Sequence, residues 1–221
     1  MKRISILALI LCTCFASVAW GQHSTSRVCT GWREFHRPDM MRWNPCEKVL
    51  NVNNVGNLQK KWSYKTGFDG AASSPAVANG VVYIGSDDNN VYALNASTGA
   101  KLWSYTTGGE VNSSPAVANG VVYVGSDDGN VHALNAHTGA KLWSYAIGGQ
   151  VNWSSAAVAN GVVYIGSEDS NVYALNASTG ALLWSYATGN YVESSPAVAN
   201  GMVYFGTGYY GAHTLYAFGL P

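Results

Sequence analysis

Runs of four or five apolar residues alternate with turns rich in Asn, Asp and Gly along most of this chain, and the runs are too short for helices. One unit reads as four strands. Ser73 to Ala78 is strand A, and Asn79-Gly80 predicts a two-residue type I′ hairpin because both positions tolerate positive φ. Strand B, Val81 to Gly85, is continuously apolar, as expected of a strand covered on both faces. The polar turn Asp87-Asp88-Asn89-Asn90 leads to strand C, Val91 to Leu94. Asn95 to Gly99 turns the chain again, and strand D carries Leu102-Trp103-Ser104-Tyr105.

The unit recurs. Asn-Gly returns at residues 119–120, 160–161 and 200–201, and Trp62, Trp103, Trp143 and Trp184 are 41, 40 and 41 residues apart. A period near 40 residues built of short strands predicts an all-β fold, a β-propeller of four-stranded antiparallel blades. The repeats run near 71–105, 112–145, 152–186 and 193–219, and the last has no strand D. A D-like segment, Lys61-Trp62-Ser63-Tyr64-Lys65, stands alone before the first repeat. Four blades closed by that N-terminal strand, paired beside Leu215–Phe218, are the expected ring, because closure protects sheet edges. Two chains sharing eight blades, each donating its first strand, are the alternative.

Composition narrows the class. The chain is 48% apolar and 11% charged, with a formal net charge of zero, which argues against general nucleic-acid binding. Met1 to Gly21 reads as a signal peptide: Lys2 and Arg3, an apolar run, then Ala19-Trp20-Gly21. That start implies a periplasmic or secreted protein, with no transmembrane segment once the signal is removed. Residues 22–57 form a leader and 58–221 the propeller. Cys29 and Cys46 are the disulfide candidate, since two cysteines alone make a poor metal site. From Gln22 to Lys65 eight Lys/Arg stand against three acids, whereas from Thr66 onward two lysines stand against nine acids. The basic leader could lie against an acidic repeat face, or both could be solvated surface.

The stretch Ala93-Leu-Asn95-x-x-Thr98-Gly99-x-x-x-Trp103, repeated from Ala133 to Trp143 and from Ala174 to Trp184, resembles the tryptophan-docking motif of quinoprotein-type propellers. That family holds the pyrroloquinoline quinone (PQQ)-dependent dehydrogenases and non-catalytic scaffolds of the BamB type. Asn95, Asn135 and Asn176 stand where the family usually has Asp, which keeps a side-chain acceptor for the turn. Trp32-Arg-Glu-Phe35 and Trp43-Asn44-Pro45-x-Glu47 look like the family's entry segment before its first blade. The resemblance implies structural roles between blades for Trp62, Trp103, Trp143 and Trp184. It also implies that an enzyme would need cations for the quinone carboxylates, usually a calcium site, and a carboxylate base. No arginine follows Arg42, and Lys101 and Lys141 lie in C–D connections, away from the loops where the family binds cofactor.

No catalytic residue, metal ligand or cofactor is therefore expected of this chain by itself, and PQQ with calcium belongs to the alternative, a quinoprotein dehydrogenase-like oxidoreductase. His132, His137 and His213 read as substitutions within strands and turns, and the Ser-Ser-Pro serines as repeat features without a paired base. The pairs Asp87-Asp88, Asp127-Asp128 and Glu168-Asp169 read as turn residues in separate blades. The repeats differ most in the D–A and B–C loops. There Phe68, Asp69, Glu110, Trp153, Tyr191 and Glu193 are the candidate ligand-binding residues, with Tyr209 and Tyr210 nearby in the last B–C turn. Aromatics beside carboxylates suit a sugar, a cationic ligand or a peptide; unconstrained loops vary in the same way. The expected function is an exported binding or scaffolding module that takes a protein or small polar ligand at the channel mouth.

Overall fold

A computed structural model describes residues 31–32, 47–67, 70, 72–208 and 213–221. The signal, Cys29, Cys46, Phe68, Asp69, Tyr209 and Tyr210 lie outside the described residues.

Four antiparallel sheets follow one another. The first holds β1 (Gly31–Trp32), β2 (Ala76–Ala78), β3 (Val81–Gly85), β4 (Asn90–Asn95) and β5 (Lys101–Thr106), in that order. The second is β6 (Ala116–Ala118), β7 (Val121–Ser126), β8 (Asn130–Asn135) and β9 (Lys141–Ala146). The third is β10 (Ala157–Ala159), β11 (Val162–Gly166), β12 (Asn171–Asn176) and β13 (Leu182–Ala187). The fourth has three strands, β14 (Ala197–Ala199), β15 (Met202–Gly206) and β16 (Leu215–Gly219). These are the blades of the repeat, as the period predicts.

Each Asn-Gly turn adopts the type I′ conformation, with φ of 50° and 76° at Asn79 and Gly80 and matching values in the other blades. Strand A is shorter than Ser73–Ala78. Proline offers no ladder donor, and the serines before it bond elsewhere. Ser73 Oγ accepts from Gly85 N in its own blade, whereas Ser114 Oγ accepts from Ser74 N of the blade before. Ser155 and Ser195 continue this link, accepting from Ser114 N and Ser155 N. Strands β2, β6, β10 and β14 thus adjoin in order.

The core lies between blades. Val111, Val151 and Val192 are fully buried, and each nests against a glycine ending strand B of the preceding blade, Gly85, Gly125 or Gly166. A Cβ on Gly125 would sit 2.1 Å from the Val151 side chain, so the glycine sets the spacing between blades. Trp103 Nε1 and Tyr83 Oη both donate to the Ala136 carbonyl of the next blade at 3.0 Å, and Trp143 and Tyr123 do the same to Ala177. Trp62 Nε1 donates to Ala96 in the same manner.

One expectation is corrected. Lys61–Lys65 forms no ladder with Leu215–Phe218; among the described residues β16 pairs with β15. The segment takes up only the inter-blade half of the expected role: Trp62 and Tyr64 dock on blade one, where Tyr64 meets Tyr92 with ring centroids 5.5 Å apart, without an in-sheet partner in blade four. The leader strand that does join a sheet is β1, with Gly31 opposite Ala78 and Trp32 opposite Val77. It adds a fifth, innermost strand to blade one.

Candidate functional site: an acidic loop face

Hydrogen bonds sort the loops onto two faces. On one, Ala96, Ala136 and Ala177 of the C–D turns donate to Gly80, Gly120 and Gly161 of the A–B turns. On the other, the B–C turns bond to the D–A loops: Asp87 N to Gly70 O, Asp127 N to Glu110 O and Glu168 N to Gln150 O. The candidate ligand residues among those described, Glu110, Trp153, Tyr191 and Glu193, belong to the loops of this second face.

Within each acid pair the two members do different work. The second ties the turn together. Asp88 Oδ2 accepts from Gly67 N at 2.8 Å and Tyr92 Oη at 2.5 Å. Asp128 Oδ2 accepts from Gly108 N at 2.9 Å and faces His132 Nε2 at 3.0 Å, and Asp169 bonds Gly148 N and the Tyr173 hydroxyl. Burial pushes the Asp128 carboxyl up, but its hydrogen bonds and His132 outweigh that and hold it below the usual carboxylate range. His132, which takes the strand position of Tyr92 and Tyr173, is a buried structural residue whose protonation is disfavoured first by burial.

The first member of each pair faces its counterparts. Asp127 is pushed up to about 6, by burial first and then by the charges of Glu110, Glu168, Asp128 and Asp87. Burial followed by the charge of Glu168 raises Glu193. Oδ1 of Asp87 and Oδ1 of Asp127 are buried and accept no hydrogen bond among the described residues. Five carboxylates (Asp87, Glu110, Asp127, Glu168, Glu193) therefore gather on one face without a described lysine or arginine in a salt bridge to any of them. Trp153 and Tyr191, 55% and 40% exposed, stand on the same face in the loops that open blades three and four.

The structure thus brings Glu110 and Glu193 together with Asp87, Asp127 and Glu168, which sequence reasoning assigns to turns in separate blades. The missed signal is positional. An acid at the same turn position of successive blades must lie beside its neighbours, whatever the turn needs. No three His, Cys, Asp or Glu among the described residues are arranged to hold a metal ion. Lys101 and Lys141 begin strands β5 and β9, at the C–D end of the blades, opposite the acids.

Comparison with known proteins gives the family. A family model of the PQQ-repeat type, described as outer membrane protein assembly factor BamB, matches residues 32–152 and 129–218. A quinoprotein ethanol dehydrogenase of Pseudomonas aeruginosa is 39% identical over 67 residues, which cover 29% of this chain and 11% of that enzyme. Among solved structures, the quinohemoprotein alcohol dehydrogenase ADHIIG of Pseudomonas putida superposes with a TM-score of 0.72 at 25% identity, over 80% of this chain and 34% of its own. BamB from Moraxella catarrhalis gives a TM-score of 0.55 at 24% identity, over 64% of this chain and 47% of its own. The chain therefore spans only a fraction of each relative's length. Its blades and the family match over most of its residues establish that the chain belongs to the PQQ-repeat β-propeller family of the BamB type.

Proposed function

We propose that the chain is an exported, non-catalytic binding or scaffolding module, and that its acidic loop face takes a basic segment of a protein partner in the periplasm or outside the cell. The observation that carries this reading is the gathering of Asp87, Glu110, Asp127, Glu168 and Glu193; burial first, then the charges of Glu110, Glu168, Asp128 and Asp87, raise Asp127 to about 6. Like charges held together at the expense of stability are relieved by an incoming cation, and the relief adds to affinity. Exposed Trp153 and Tyr191 add flat apolar surface of the kind that anchors a peptide. The family match to an assembly factor is consistent with a protein partner.

A dehydrogenase reading draws support from the 39% identity to a quinoprotein ethanol dehydrogenase. The donor set does not fit it. An anionic quinone needs cations at its carboxylates, and this face presents carboxylates while Lys101 and Lys141 sit at the opposite ends of their blades.

The two readings part in one set of titrations. A short Lys/Arg-rich peptide should bind and quench tryptophan fluorescence, more weakly as salt rises, whereas a Glu-rich peptide should not. Asp127→Asn with Glu168→Gln should weaken binding about tenfold or more. Equal binding of both peptides, or indifference to the double substitution, overturns the proposal. A quinone absorbance shift with calcium-dependent dye reduction would put the dehydrogenase in its place.

A further inference from the structure

The junction between blades three and four differs from the two before it. At those two junctions a tyrosine and a tryptophan of one blade converge on a carbonyl in the C–D turn of the next. Tyr164 and Trp184 hold the same positions in blade three, yet neither donates a hydrogen bond among the described residues. A cleft of about 380 Å³ opens there instead, lined by Tyr164, Trp184, Val203, Phe218, Gly219 and Leu220. Trp184 is 36% exposed, against 9% for Trp103. The outer edge of β16 is open in the same way. Leu215 occupies the ladder position of Val91, Val131 and Val172, which are fully buried, but is 77% exposed.

A matching piece lies at the other end of the array. Lys61-Trp62-Ser63-Tyr64-Lys65 has the sequence of an outer strand. Against blade one it also makes the contacts an outer strand makes with the next blade: Trp62 Nε1 to Ala96 O, and Tyr64 on Tyr92 as Tyr105 lies on His132. Among the described residues no strand pairs with it. Just before it, Val49, Leu50, Val52, Val55 and Leu58 are all exposed, an apolar stretch with nothing covering it among the described residues.

We infer that these two ends form an interface between two copies of this chain. Lys61–Lys65 of one copy adds to the open edge of β16 of the other as an outer strand, and the apolar stretch before it covers the Tyr164–Trp184 cleft. The register follows from blade one, where Val91, Tyr92 and Ala93 face Tyr105, Ser104 and Trp103. It sets Leu215, Tyr216 and Ala217 against Tyr64, Ser63 and Trp62 of the second copy. Within one chain the two ends stay apart: Lys61–Lys65 forms no ladder with β16, whose described partner is β15. A two-fold axis makes the same junction twice and covers the described edge of β16 in both copies. The inference is independent of what the acidic face binds.

The test is the mass of the full chain in solution, measured by light scattering across a dilution series. Two copies are expected. Tyr64→Pro removes the ladder donor that would face Leu215, since an outer strand turns its amides toward strand C at the positions of Trp103, Tyr105 and Thr107 (Thr107 N donates to Asn89 O), and should weaken association on the order of a hundredfold. A second variant appends Ala-Ser-Thr-Gly-Ala-Lys-Leu-Trp-Ser-Tyr after Pro221, supplying the outer strand within one chain. It should run as a single copy at every concentration, which guards against Tyr64→Pro acting by misfolding. A single copy of the unaltered chain, as expected if its own segment closes the edge or an unrelated partner covers it, overturns the inference. So does any association that both variants leave unchanged.

Discussion

Asp127 and Asp128 are adjacent in sequence and opposite in electrostatics. Asp128 spends its oxygens on Gly108 N and His132, so folding favours its charged form. Asp127 keeps a buried oxygen without a partner and meets the charges of its neighbours, so folding favours its protonated form. A carboxyl raised from 3.8 to about 6 contributes stability that is complete below about pH 4 and is lost as pH climbs through about 6. Asp128 works in the other direction, its contribution being lost as pH falls through its lowered range. Asp127→Asn should therefore raise the melting temperature at pH 7 and leave it little changed at pH 4, measured by thermal unfolding at both values. A melting temperature unchanged at pH 7 would show that the acids do not repel each other as described. Residue identity alone could not separate the two aspartates, because burial and neighbours set the difference and both come from adjoining blades.

The turns and strands are more legible than the carboxylates. Asn-Gly places the hairpin, and Asn95 Oδ1 accepts from Ser97 N and Thr98 N, which shows how Asn serves where the family has Asp. Gly99, Gly139 and Gly180 carry φ near 74° and leave room for Trp62, Trp103 and Trp143, whose rings lie 2.7–2.8 Å from where a Cβ would be. A repeated motif can encode such contacts because the same pair of surfaces meets at every junction. Among the described residues no such turn faces Trp184, and a comparison of tryptophans measures what the turn supplies. Trp103→Ala should destabilise the fold by about 3–5 kcal/mol, and Trp184→Ala in the single chain by about 1–2 kcal/mol. Urea unfolding of the two variants decides it. Equal losses would mean that the open cleft leaves Trp184 as well packed as its counterparts.

Each blade of the array leans on its neighbours, so its stability is the sum of blade terms and junction terms rather than one central core. The serine links between inner strands and the valine–glycine contacts run from blade one to blade four. Among the described residues the fourth blade has three strands and an open outer edge, and should open first. Under conditions where the chain is a single copy, amide hydrogen exchange should be faster in β15 and β16 than in β7, β8, β11 and β12. Uniform exchange across all four blades would indicate one cooperative unit. Pairing with a second copy, or the appended strand, should slow exchange in β16 selectively.

The forty-residue period, the Asn-Gly turns and the tryptophan spacing carry the blade, its strand order and its two loop faces, because these depend on contacts that recur within or between identical units. Where the array ends, which edge β1 occupies, and which acids lie together depend on the angle between blades and on what each end meets. No repeat encodes those, since each is a property of the junctions taken together, and they become readable once the blades are set side by side.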